Sequence, residues 1–555
     1  MTRTFNVIDE PVLPAVWLDG TSADISIRQA LIDAHRIAAI EGEPASMTFA
    51  LHRLLLAIVY RALPVERPRQ EWRELWDAPE LPAEDLNSYL DDWYQRFDLL
   101  DPAQPWLQVA GLHTTRSEFS ELEKLIPDIP NGEQFFTVRA GLAARSISLA
   151  EAARYLIHAQ AFDPSGIKSG AVGDPRVKGG KGYPIGTAWA GNLGGVLVQG
   201  RTLKETLLLN LTLGSPNDDD RPWSGEEDQP VWEREPLTAA EEFPGETTGD
   251  IPGRAPRGPA DLLTWPSRRM RLRVEADRVT GVLIANGDVL WPQNRHAWEP
   301  MTAWRRSDPQ SKKYKTTVYM PRQHDADRSF WRGAGAVLPR ADRSHHTVDG
   351  ETGLPAASLR WLQGAVDDVL GPNFVLRARA ISVIYGSNSS VIDAVYDDTM
   401  VVPAAVLDHP DLQQGLIDAI AHTDKAVQAL GDLGRDLEQA AGGVGDALRG
   451  RARQLGFHRL DEPFRRWMGT LVSGSNLDAA VTQWFVVARR DLVSIGLALI
   501  DAAPPEAWTG RPDPRRPDRR LDVVSAERRF HWNLAAALPT APPVSEPTAE
   551  SGARP

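Results

Sequence analysis

Apolar residues recur at helical spacing in several blocks of the chain. In SIRQALIDAHRIAAIEG, Ile27, Leu31, Ala34, Ile37 and Ala38 share one face. Ser26 is placed to cap that face and Gly42 to end it, which predicts a helix over 26–42. After the Pro44 break, SMTFALHRLLLAIVYRAL predicts a strongly apolar helix central to the first core. AEDLNSYLDDWYQRFDLL (83–100) predicts an amphipathic helix, and LAEAARYLIHAQ another, capped by Ser148 with Glu151 at the capping-box position. Thr202 is placed to cap a helix carrying Leu203, Leu207, Leu208 and Leu211 on its buried side. Elsewhere the period is two. FNVIDEPVLPAVWLDG reads as two short strands, and Met270, Leu272 and Val274, then Val282 and Ile284, as a β-hairpin region with a turn signal at Asn286-Gly287. VLRARAISVIYGSNSSVIDAVYDDTMVVP reads as strand, tight polar loop (Gly386 to Ser390) and strand.

From Ala404 the pattern is helical throughout. Leu412, Leu416, Ile420, Val427 and Leu430 form one stripe, and four such elements predict a four-helix bundle up to residue 540. TGRPDPRRPDRR (509–520) joins the last two, and residues 541–555 read as a disordered tail. Residues 214–260 are acidic and rich in Pro and Gly, which predicts an extended surface insertion, partly mobile. The loop-rich stretch 291–335 carries Trp291, Trp298, Trp304 and Trp331, which either stack bases or anchor a loop-rich core.

Composition adds constraints. The 555 residues are 42% hydrophobic and 25% charged, globular values, with a formal net charge of −14. Zero cysteines exclude disulfides, thiol nucleophiles and cysteine-ligated zinc, and fit a reducing cytoplasm. MTRTFNVIDEP has no apolar core of signal-peptide length, and the Leu54–Val59 run is bounded by Arg53 and Arg61, so no membrane partner is expected. The global charge argues against a nucleic-acid binder, but charges act over only about 8 Å at physiological salt, so local distribution decides. The glycine stretch is locally basic. Eleven glycines fall from Gly166 to Gly200, with Lys168, Lys178, Lys181 and Lys204 in or just beyond them. Glycine lets backbone approach another surface, and successive N–H groups can form a nest for phosphate. Such a stretch either takes a polyanion or is an ordinary long surface loop.

Catalytic patterns are missing. Gly180-Lys181 fails as a P-loop, because Pro175 and Gly182 stand where glycine and Ser or Thr are needed. No Gly-x-Ser-x-Gly, His-Glu-x-x-His, EF-hand loop or dinucleotide glycine motif occurs, so no cofactor is implied. His345-His346 lies in a polar loop near Asp342 and Asp349. Asp397-Asp398 follows a strand, and a metal-dependent nuclease or hydrolase using them with a histidine is the enzymatic alternative; an assembly scaffold without DNA contact is the other.

The ordered set NVIDEPVLPAVWLDG, AHRIAAIEGEPASMTFALHRLLLAIVYRAL, PAQPWLQ, the IKSG glycine stretch closing in TLKETLLLNLTL, IYGSNSSVIDAVYDDTMVV and the terminal bundle resembles the CasA family. That family is the large subunit of the type I-E CRISPR surveillance complex, Cascade. The resemblance covers residues 5–540. It implies an α+β fold, with a large mixed α/β N-terminal domain (1–403) before the four-helix bundle (404–540). It also implies a cytoplasmic, non-enzymatic chain that partners guide RNA and the other Cascade subunits. Such a chain reads the protospacer-adjacent motif in the minor groove of target double-stranded DNA, helps open the duplex and recruits the helicase-nuclease. The family's glycine loop maps onto Ser165 and Gly166, anchored by Lys168 and Ser169, with fewer glycines here. Its wedge loop maps onto Ser387, Asn388, Ser389 and Ser390, where some members carry glutamine. Its groove-reaching lysine falls near a hairpin tip where this chain has Asn286, and the segment approaching the guide's 5′ handle maps onto Arg139 to Arg145.

Overall fold

In the computed structural model, which describes residues 4–63, 66–116, 118–129, 139, 141, 145–214, 223–339, 346–348, 351–371, 373–472, 474, 476–513 and 516–539, strand β1 (Leu13–Trp17) turns at Asp19-Gly20 and returns as β2 (Ser22–Ile25). Tail 541–555, residues 215–222, and Asp342, His345 and Asp349 lie outside the described residues. Two units separate along the chain: Met1–Gly371 with Leu376–Met400, and Pro372–Val375 with Val401–Pro555.

Ser26 accepts the Gln29 N–H at 3.1 Å and starts α1, but α1 spans only Ile27–Ile32. The rest of the helix expected over 26–42 is instead β3 (Ile37–Ile40), paired antiparallel with the free edge of β1. A short apolar run has no period of its own to decide its state. Here the open strand edge decides, and Ile37 and Ile40 are both buried. Helix α2 (Ala45–Ala62) is buried on nearly every side, as its apolar sequence requires. Its Arg53 forms a two-pronged pair with Glu299, both contacts 2.8 Å and both side chains buried, and Glu299 also accepts the Trp189 indole N–H at 2.7 Å. Trp189 begins the turn leading into the glycine stretch's exit strand, so this pair fixes that exit against α2.

Helix α3 (Leu149–Phe162) packs on α2. Ser148 caps it as expected, accepting the Glu151 N–H at 3.1 Å, while the Glu151 carboxylate takes Arg139 at 2.7 Å. The glycine stretch follows, as a ribbon of β4 (Lys168–Ser169) and β5 (Lys181–Gly182) and then β6 (Gly195–Gln199). Ala171 anchors it in a small core with Val109, Leu112, Leu283 and Ala285. Thr202 caps α4 (Leu203–Asn210), and Leu203, Leu207, Leu208 and Leu211 are all buried.

Two expectations are corrected. Residues 223–260 are not an extended surface insertion: Trp232 is buried against Phe97 with ring centroids 5.0 Å apart, and Glu233 takes Arg61 of α2 at 2.6 Å. Their few apolar residues suffice because Trp223, Val231, Trp232 and Ile251 are all buried, two of them large tryptophans. The hairpin of β7 (Arg268–Glu275) and β8 (Arg278–Asn286) reverses at Ala276-Asp277, where Ala276 takes φ +54°, and Asn286 is a buried strand end opposite Arg268. Gly287 is there for close approach: a Cβ on it would lie 2.5 Å from Arg268 N. Of the tryptophans in 291–335, Trp304 and Trp331 are buried anchors and Trp291 is exposed.

β9 (Val375–Tyr385) and β10 (Ile392–Pro403) complete a sheet of order β10-β9-β6, with Ala378 opposite Val198 and Ile381 opposite Gly195. The exit strand of the glycine stretch and the strand–loop–strand unit thus share one frame. In the second unit α5 (Pro410–Ala441) packs on α6 (Asp446–Met468), α7 (Leu477–Asp501) and α8 (Val523–Ala537), and the whole Leu412 to Leu430 stripe is buried. A two-stranded hairpin, Arg511–Asp513 with Arg516–Leu521, lies between α7 and α8. Where α5 meets α6, a Cβ on Gly434 would lie 2.7 Å from the Leu448 carbonyl oxygen, so the helices would have to separate. Gly434→Ala is therefore expected to cost about 1–3 kcal/mol in urea unfolding of the bundle, despite the better helix propensity of alanine.

Candidate nucleic-acid interface

The loop after α3 is held by one buried carboxylate. Asp163 takes Lys168 Nζ at 2.5 Å and Arg268 Nε at 2.5 Å. Burial pushes the Asp163 carboxyl up, but the two cations outweigh it and hold it below the usual range, so it stays ionised. Arg268 also donates to the carbonyls of Asp163 and Pro164, both at 3.2 Å, and of Gly186 at 2.8 Å. Both the start and the later part of the glycine stretch are thereby tied to the first residue of β7. Gln160 of α3 completes the joint, bonding Arg268 N and Arg268 O at 2.9 Å each.

The second tip crowns β9 and β10. Gly386 N–H donates to Val391 O at 3.1 Å, and Ser390 N–H to Ser387 O at 3.2 Å. Asn388 and Ser389 between them take φ +54° and +52°. Two central residues at positive φ match the right-handed twist of the flanking strands, a geometry glycine or asparagine accepts most easily. Asn388 supplies one tolerant position; Ser389 carries a Cβ in a left-handed conformation that costs about 1–2 kcal/mol. Ser387, Asn388 and Ser390 are exposed. The stem is fixed by Tyr385, whose hydroxyl donates to Phe162 O at 2.8 Å, at the end of α3 where the glycine loop begins.

The two tips meet. A Cβ on Gly166 would lie 3.9 Å from Ser390 O. Between them opens a cleft of about 340 Å³, lined among others by Lys124, Ile129, Gly166, Ile167, Ser169 and Ser390. Gly166, Lys168, Ser169 and Ser390 thus come together. Ser165 is buried beneath the loop, and Lys168 lines the cleft with its ammonium turned onto Asp163. Asn286 does not reach the cleft as a hairpin tip: it lies under the ribbon, donating to Tyr183 O at 2.7 Å. Arg139 lies elsewhere, tied to Asp128 at 3.1 Å, Glu151 at 2.7 Å and the Tyr155 hydroxyl at 2.8 Å, and Arg145 is exposed.

Sequence reasoning passed over Asp163, Arg268 and Tyr385, which do the positioning. A signal existed for Arg268, which shares the inward register of β7 with Met270 and Leu272, where a charge is costly unless paired. The pair Asp397-Asp398 is engaged in the frame. Asp397 holds Arg379 at 2.8 Å, and Asp398 accepts the N–H of Phe330 at 2.7 Å and of Thr399 at 2.8 Å. Among the described residues no group of three or more His, Cys, Asp or Glu side chains could hold a metal ion, and no helix is long and apolar enough to cross a membrane.

The frame that carries these tips is shared with known proteins. The Thermobifida fusca Cse1 structure matches with a TM-score of 0.86 at 41% identity, over 97% of this chain and 99% of that one. Cse1 from Acidimicrobium ferrooxidans matches with 0.79 at 27% identity, over 96% and 98%. CRISPR-associated protein CasA/Cse1 of Thermus thermophilus is 28% identical over 518 residues, 87% of this chain and 92% of its own. The model of the family described as CRISPR-associated protein Cse1 matches residues 6–494, so both tips and most of the bundle lie inside it, and the chain belongs to the Cse1 family.

Proposed function

We propose that this chain is the non-catalytic large subunit of a CRISPR surveillance complex. In that role it reads the protospacer-adjacent motif in the minor groove of target duplex DNA, helps open the duplex for guide-RNA pairing, and recruits the helicase-nuclease. The observation that supports this most is the convergence of two stiff tips built from small residues on one cleft, in a member of the Cse1 family. The minor groove is about 6 Å wide and offers a degenerate pattern, so a reader needs thin backbone and short polar side chains. Gly166 and Ser169 on one side and Ser387, Asn388, Ser389 and Ser390 on the other have that character. In this reading Lys168 braces the loop from below, Asn286 supports the ribbon, and the exposed Arg145 is the better placed of the two arginines to approach the guide. The wedge acts sterically: its turn is closed by its own hydrogen bonds, so it keeps its shape while base pairs give way.

The test uses the reconstituted complex and duplexes with a randomised tract beside the guide-matched region. Bound duplexes should be enriched in a short motif. Asn388→Gly with Ser390→Ala keeps the turn and removes two polar side chains. It should weaken motif-bearing duplexes by about tenfold or more, and motif-free ones little. No enrichment by the wild-type complex would overturn the reading.

A further inference from the structure

We propose that Lys178 and Lys181, at the tip of the β4–β5 ribbon, grip the phosphate backbone of the target DNA; the assignment rests on the motif-reading function above and names the cations it uses. Lys178 and Lys181 exchange both backbone hydrogen bonds at 3.1 Å, closing a turn in which Gly179 and Gly180 take φ +59° and +71°. Two left-handed glycines make this tight reversal without strain. The tip is also folded down and fixed. Gly170 backs directly onto it, and a Cβ there would lie 2.8 Å from Lys181 N. Its outer side is open: a Cβ on Gly179 or Gly180 would meet nothing within 4 Å.

The other cations of this stretch are occupied. Lys168 is on Asp163; Arg176 is on Asp174 at 2.9 Å and on the Gly287 carbonyl at 2.9 Å; Lys204 donates to Trp76 O at 2.9 Å and to Ala78 O. Lys178 and Lys181 are exposed, with no ion-pair partner among the described residues. Lys181 stands opposite Ser169 in the ribbon, so its charge lies directly beside the loop whose Gly166 faces Ser390. Tyr183, two residues on and 54% exposed, shares its face and offers a flat ring for sugar. On a chain of net charge −14, a rigid, bare turn flanked by two mobile ammonium groups is the local footprint a polyanion needs. The charge expected of Lys168 is thus supplied across the ribbon.

The experiment measures affinity of the assembled complex for motif-bearing and motif-free duplexes over a potassium chloride series, for wild type and Lys178→Ala/Lys181→Ala. Each phosphate contact adds about 0.9 to the slope of log affinity against log salt. The double variant should lose roughly 1.8 of slope and about fivefold affinity per lysine near physiological salt, equally on both duplexes, with Lys178→Arg/Lys181→Arg near wild type. An unchanged slope overturns the assignment. So does a variant that enters the guide complex poorly while its DNA slope is intact, because the lysines would then face guide RNA. If wild type ignores the motif while the slope still falls, the motif-reading function fails and the phosphate contact stands.

Discussion

Arg268→Met is expected to cost about 3–5 kcal/mol of stability and to abolish motif discrimination. Removing the more buried cation of a hydrogen-bonded charge cluster costs that much, because Asp163 is left half-compensated by Lys168 in a dry site and buried carbonyls lose a donor. Arg268 is 1% exposed and makes contacts that no other side chain can replace: Asp163 at 2.5 Å, and the carbonyls of Ser267 and Gly186 at 2.8 Å and of Asp163 and Pro164 at 3.2 Å. Methionine has similar length and no donors, so packing is roughly kept while the Pro164 and Gly186 carbonyls lose their guanidinium donor and the Asp163 carboxylate is left with Lys168 alone. Arg268→Lys should recover little, since a single ammonium cannot serve a fork of acceptors. Lys168→Met should be milder, because Asp163 keeps Arg268 and the Pro164 and Gly186 carbonyls keep their donor. Arg268 is a positioning residue, and the readout that separates this from a simple folding defect is the affinity ratio between motif-bearing and motif-free duplexes. The ratio should collapse in folded Arg268→Lys while motif-free binding persists. A Met variant within about 1 kcal/mol of wild type, or a Lys variant with an intact ratio, would refute the role.

Much of the scaffold behind these contacts is legible locally, and most of the site is not. Ser26, Ser148 and Thr202 announce helix starts, because each bond they make closes within three residues. The Leu412 to Leu430 stripe and the strand–loop–strand around Gly386 to Ser390 are likewise local patterns, and the resemblance to the CasA family held over the length of the Cse1 match. The direction of Lys168 is not legible. In a glycine loop it reads as a free point charge, and only Asp163 at the helix end, itself paired with an arginine 105 residues away, turns it inward. The same distance hides Tyr385, whose partner Phe162 is 223 residues off. Asn286-Gly287 failed as a turn for a related reason. A glycine can be selected for positive φ or for close approach, and only the packed neighbour, here the backbone at Arg268, tells the two apart. Ile37–Ile40 became a strand because β1 had an edge to fill, a demand that no window of sequence contains.

Acidification from pH 7 to pH 5 should remove several kcal/mol from the N-terminal unit. Burial pulls His158, His296 and His324 down to about 4, against about 6.5 in an unfolded chain. Between those values the unfolded chain binds a proton that the native chain refuses. Stability is therefore full above about pH 6.5 and declines as pH falls toward 4, by about 2 kcal/mol per histidine at pH 5. Buried carboxyls oppose them, Glu241 and Glu242 being pushed up by burial as Asp228 is. Burial pushes the Asp228 carboxyl up to about 6, so its native form gains about 1.4 kcal/mol by pH 5. The three histidines, joined by His52, which burial also pulls down, outweigh these carboxyls. Asp163 and Asp261 are held below the usual carboxylate range and weigh in only at still lower pH. The loss falls on the stems of both tips. His324 bonds Gly195 O of β6 at 2.9 Å and stacks on Tyr396 of β10 at 5.3 Å, and His158 of α3 meets Ser46 Oγ at 2.8 Å. Urea unfolding at both pH values, read by amide hydrogen exchange in α2, α3 and β9, measures it. His324→Gln, with nothing to protonate, should lose about 2 kcal/mol of the pH dependence while its stability at pH 7 reports the packing cost alone. A wild-type stability that is flat between pH 7 and 5 would show that these histidines accept protons in place.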